Sequence, residues 1–170
     1  MCGPETTNRP RGGALVALNP PGIGSSSPTT TTVAAVMTGD LTFHTPGHPD
    51  SAEATHARLA FDQPRWQTAT LPSDLRVVIH AGGDMTKDAS DCGLFRQLRL
   101  AATSPAIAAG AGGVWEWPLP QALSLQVGSD GIIGRRVSVY ADDDDGRTDR
   151  AVLAEGIVGF NSWTTERASL

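Results

Sequence analysis

From Val33 onward the chain alternates apolar and polar positions in short runs separated by turn residues, at the roughly 8–12-residue spacing of all-β domains. The runs span 32–43, 54–61, 65–71, 75–81, 94–101, 114–127, 132–141 and 150–162, which predicts eight strands. The clearest pairing is a hairpin. Val137-Ser138-Val139-Tyr140-Ala141 and Ala151–Phe160 flank a short connection, Asp142-Asp143-Asp144-Asp145-Gly146-Arg147-Thr148, whose tip Asp-Gly supplies the positive φ that a hairpin turn requires. Gly128-Ser129-Asp130-Gly131 reads as a tight turn, and Asp62-Gln63-Pro64 and Pro72-Ser73-Asp74 interrupt strands. Helical signals are weak. Thr86–Arg99 supports at most a short helix, and Ser104–Gly113 reads as an irregular Ala/Gly crossover.

Ahead of this region, residues 1–13 and Asn19–Thr32 are rich in Gly, Pro, Ser and Thr, too polar to order themselves by burial. The expected organisation is a flexible tail over 1–31 and one domain over 32–170. Within the tail, Ala14–Leu18 is apolar, and two readings stay open: a first strand, or a lid docking through Leu15, Val16 and Leu18.

Many short antiparallel strands must hide two sheet edges, and closure into an eight-stranded barrel is the expectation, with a β-sandwich as the alternative. Alternation is compatible with either. Gln121, Leu123, Leu125 and Val127 share one strand face, while Leu153, Glu155 and Ile157 oppose Ala154, Gly156 and Val158 on the last strand. Gly156 and Gly159 fit a bent strand or a close backbone approach.

Composition narrows the function classes. The 170 residues include 39% apolar and 18% charged residues, enough for one domain core. Net charge is −5, and Lys87 is the sole lysine, so there is no basic stripe for nucleic acid. No apolar run approaches the ~18 residues of a membrane span. Cys2 and Cys92 make no disulfide framework, and the start of the chain has no secretory pattern, so a cytoplasmic location is expected.

Motifs for metal or nucleophilic chemistry fail on spacing. Pro46 and Gly47 between His44 and His48 prevent the helix that would align a zinc pair. Asp142–Asp145 lacks the alternation of a calcium loop. Gly82-Gly83-Asp84 lacks the continuation of a phosphate loop, and no Gly-x-Ser-x-Gly elbow occurs. No metal and no cofactor is expected. More informative are polar residues within apolar strands: Gln121, Glu155, His80 and Tyr140. Each needs a partner, either a side chain such as Arg58 or Arg136 for Glu155, or a ligand. Trp115 and Trp117 project from one strand face and, with Trp66, serve either a core or an apolar pocket.

This layout, eight antiparallel strands behind a mobile segment with aromatic and isolated polar interior candidates, resembles the small β-barrel cyclases of actinobacterial spirotetronate and spirotetramate polyketide pathways. The resemblance implies an intramolecular [4+2] cycloaddition of a hydrophobic substrate in a dry cavity, without obligatory acid, base or cofactor. It implies Gln121, Tyr140 or His80 as the hydrogen-bond donor polarising the dienophile. Trp66, Trp115, Trp117, Leu123, Leu125 and Glu155 would line the site, and Leu15, Val16 and Leu18 would close it. Three alternatives remain open: a non-catalytic barrel carrying a hydrophobic metabolite, a hot-dog-type thioesterase or dehydratase, and a β-sandwich assembly subunit with a packed interior. A homodimer is compatible with each.

Overall fold

The structure is a computed structural model and describes residues 12–21, 37–61, 74–101, 114–128, 130–142 and 152–161. Trp66, the tip of the last hairpin and the Ser104–Gly113 crossover lie outside the described residues.

Alternating β-branched and polar residues produce the strands where the sequence pattern is most regular. In β4 (Asp74–Ile79), Leu75, Val77 and Ile79 are buried while Asp74, Arg76 and Val78 are only half-buried. The other strands are β1 (Ala14–Leu18), β2 (Gly39–His44), β3 (Glu53–Phe61), β5 (Arg96–Leu100), β6 (Val114–Val127), β7 (Gly131–Ile133), β8 (Arg136–Asp142) and β9 (Val152–Phe160). The helix signal in Thr86–Arg99 resolves into a single 3-10 turn, Ala89–Cys92, ended by Gly93 at φ 71°. Gly134, at φ 84°, divides the predicted 132–141 run into β7 and β8.

The strands form one nine-stranded sheet in the order β5-β4-β8-β9-β1-β2-β3-β6-β7. All neighbours are antiparallel except β6 and β7. The expected eight-stranded barrel is therefore corrected: the order is linear, with β5 and β7 as its two ends, and among the described residues no ladder joins them. The turn after β7 does return to β9, through Gly134 N–H to Val158 O (2.8 Å) and Val158 N–H to Arg135 O (3.0 Å). Among the described residues β7 itself, however, pairs with β6 alone.

The architecture fits the sandwich alternative better. β9 belongs to both halves, pairing with β8 on one side and β1 on the other. A Cβ on Gly156 would meet Ala17 O and, at 2.8 Å, Val16 Cγ1, so glycine permits the close approach of β1 to β9. The halves share one apolar core: Leu75, Val77, Ile79, Val137 and Val139 from one, Val16, Leu41, Phe43, Leu59, Trp115 and Trp117 from the other. Trp117 Nε1–H donates to Ala101 O at 3.0 Å, tying β6 to the chain leaving β5.

The apolar piece of the tail is a strand interior to this sheet. Ala14–Leu18 pairs with β2 from Ala14↔Phe43 to Leu18↔Gly39, and Ala14–Val16 pairs with β9. Val16 and Leu18 are core residues, and Leu15 is half-buried on the opposite face.

Candidate functional site

Two polar layers lie on the outer faces of the sheet. The first follows from pleating in β2, β3 and β6: with Leu41, Phe43, Ala57, Leu59, Trp115 and Trp117 turned into the core, the intervening residues face outward. Register then sets two adjacent rungs, Thr42–Arg58–Glu116 and His44–His56–Pro118. His44 and Glu116 lean across β3 until Nε2 and Oε1 are 2.7 Å apart. His56 lies beside His44, with ring centroids 6.3 Å apart, and its Nδ1 shares a 2.9 Å hydrogen bond with Thr55 Oγ1.

This layer is desolvated. Thr42 and His44 are buried, and Glu116 and Arg58 are half-buried. Burial pushes the His44 pKa below its usual value, against the opposing pull of Glu116, so the ring is held neutral at pH 7. Burial also lowers Arg58, with Glu116 acting in the other direction. Despite their proximity, His44 Nε2 and Glu116 Oε1 are buried without a hydrogen bond of ordinary geometry. Among the described residues Arg58 has no carboxylate at ion-pairing distance. Polar groups that have lost water without gaining full partners need completion, by ordered water or by a ligand.

The second layer lies between β4, β8 and β9 and the 81–95 segment. Arg136 Nη2 pairs with Glu155 Oε2 at 2.5 Å, and Arg136 Nη1 donates to Lys87 O (2.6 Å) and Asp84 O (3.2 Å). Burial opposes the Arg136 charge, but Glu155, with a smaller contribution from Cys92, raises the pKa overall. His80 bridges Ser138 Oγ and Gly93 O. Arg135 adds a bond to Ala81 O at 2.6 Å and lies over the Phe95 ring at 3.9 Å. Arg136 Nε–H is buried without a hydrogen-bond partner, and the bonds the other groups make fasten the 81–95 segment to the sheet.

Among the described residues, the sequence-predicted site residues are spread over several places in the sheet. Gln121 is exposed, in a stretch of β6 where the partner register passes from Ala54↔Leu123 to His56↔Pro118, leaving the residues between displaced from the ladder. Pro118 and Pro120 lack the N–H donors that would restore it. Tyr140 is half-buried on β8 under the Arg76 guanidinium, and His80 is buried against Ser138. Trp115 and Trp117, stacked at 6.4 Å, pack in the core with Leu123 and Leu125, where a barrel lumen was expected. Glu155 has Arg136 as partner. With neither a closed barrel nor a catalytic cluster at these positions, the cycloaddition expected for a β-barrel cyclase is corrected too.

Arg58, His56 and Glu116 were not recognised as a set from sequence. The signals were the alternation of Glu116 between two core tryptophans and the placement of His44 and His56 on either side of the Pro46-Gly47 turn, which makes them cross-strand partners. Among the described residues there is no group of three or more His, Cys, Asp or Glu able to hold a metal ion. An open depression of about 420 Å³ lies at the β2–β3 turn, lined by Gly47, His48, Pro49, Asp50 and Ser51. No described helix is long and apolar enough to cross a membrane. No protein-family model and no curated protein matches this chain.

Proposed function

We propose that this chain is a small-ligand-binding β domain whose site is the outer face of β2, β3 and β6, with His44, His56, Arg58 and Glu116 as its contact residues. The observation that carries this reading is a half-buried Arg58 with no carboxylate at ion-pairing distance among the described residues, beside a 2.7 Å His44–Glu116 contact bent away from ordinary hydrogen-bond geometry. Such an arrangement costs stability, and a ligand able both to accept from Arg58 and His56 and to donate to Glu116 offsets that cost. The face selects a polar partner rather than a hydrophobic one. Cys92, a free buried thiol, is in keeping with a reducing compartment such as the cytoplasm.

A second reading has one specific observation in its favour. Burial keeps His44 in its basic form beside a carboxylate, the state a general base requires. On that reading the ligand is a substrate, and Glu116→Gln lowers turnover more than affinity.

The test is amide chemical-shift mapping with a panel of amino acids, dicarboxylates, sugars and nucleotides. Saturable shifts centred on Thr42, His44, His56, Arg58 and Glu116 are expected. Saturable shifts confined to another face would contradict the proposal.

A further inference from the structure

A separate cationic rung crosses the other half of the sheet. Leu75 and Val77, Leu98 and Leu100, and Val137 and Val139 face the core, so Arg76, Arg99 and Tyr140 face outward. Register places all three on one rung of adjacent strands: Arg99 opposite Arg76, and Arg76 opposite Tyr140. Like charges directly opposite each other across a strand pair are destabilising.

The two arginines are not equivalent. Arg99 is clamped by Asp74 through Nε–H at 3.0 Å and Nη2 at 2.8 Å, both to Oδ2. Arg76 has no carboxylate at ion-pairing distance among the described residues. Its guanidinium carbon sits 5.4 Å from the centroid of the Tyr140 ring, and its Nε–H is buried with no hydrogen-bond partner. A desolvated guanidinium donor, held in place by an aromatic ring and flanked by a second arginine, is arranged for an acceptor that brings negative charge.

We propose that the Arg76–Arg99–Tyr140 rung is a binding site for a small oxyanion group, carboxylate or phosphate, received by the Arg76 fork. Arg99 contributes charge while it remains paired to Asp74. The overall charge of −5 opposes non-specific anion adsorption elsewhere, so binding here is local.

The experiment follows the Arg76 side-chain Nε–H resonance and the Tyr140 amide during titration with sodium acetate and, separately, with sodium phosphate. Ionic strength is held constant, with sodium chloride as the control. Saturable shifts with either oxyanion and only weak, linear shifts with chloride are expected. The stronger of the two arms identifies the anion. Arg76→Gln should weaken binding about tenfold or more. Arg76→Lys, which keeps the charge and the packing stem but loses the fork, should fall between. Chloride-like linear shifts with both oxyanions, or undiminished saturation in folded Arg76→Gln or Arg76→Lys, would overturn the proposal.

Discussion

Ser138 Oγ lies 2.9 Å from His80 Nε2, while the other ring nitrogen of His80, Nδ1, lies 2.9 Å from Gly93 O. A carbonyl only accepts, so Nδ1 carries the proton and Nε2 accepts from the Ser138 hydroxyl. The spacing is that of a nucleophile and its base, but both residues are buried, and the pair fastens the 81–95 segment to β4 and β8.

That arrangement makes stability depend on pH. Burial lowers the His80 pKa below 6.5, Gly93 and Glu155 pull upward, and Arg136 pushes further down. Because the folded-state pKa is the lower one, the unfolded chain takes up the proton first as pH falls. The stabilisation is therefore fully present above about pH 6.5 and is lost below it, toward the folded-state value. His44 has the same sign, with burial as the leading cause. Urea unfolding at pH 7.5 and 5.5 should show a lower midpoint at pH 5.5, and His80→Gln should reduce the difference.

The Arg136–Glu155 pair gives a second expectation. Glu155→Ala leaves a buried guanidinium without its counter-charge and should cost about 3–5 kcal/mol in urea unfolding. Replacing both, as Arg136→Met with Glu155→Leu, should recover much of that loss. It should also free the carbonyls of Asp84 and Lys87, seen as faster amide exchange over 84–92.

Gly156 tests the close packing of β1 on β9. A methyl group there meets Val16 Cγ1 at 2.8 Å and the Ala17 carbonyl, so Gly156→Ala should push β1 from β9 at a cost of about 1–3 kcal/mol. Gly159→Ala, whose Cβ finds only Leu15 O at 3.9 Å, is the control and should be far milder.

The strands were legible where alternation was uninterrupted. Leu75-Val77-Ile79 and Val137-Val139 announce β4 and β8, and β8 pairs with β9 as the hairpin pattern required. Closure was not legible, because inward and outward residues alternate identically in a barrel and in two packed halves. The close approach at Gly156 was visible as a glycine in a strand, but its partner β1 was not. Trp115 and Trp117 do share a face, yet sequence spacing does not distinguish a lumen from a core. The layer around His44 was hidden for a different reason: His44 and His56 flank a Pro-Gly turn and read as loop residues, whereas register makes them neighbours in the sheet.

The central claim, that the His44–Glu116 layer is retained for a ligand rather than for the fold, is tested most directly by unfolding the paired variant His44→Leu/Glu116→Met in urea. If the layer serves binding, apolar replacement removes an unfavourable desolvation and the midpoint should stay level or rise. A loss of about 3 kcal/mol or more, the scale of a broken buried pair, would instead make the layer a structural bridge and contradict the account.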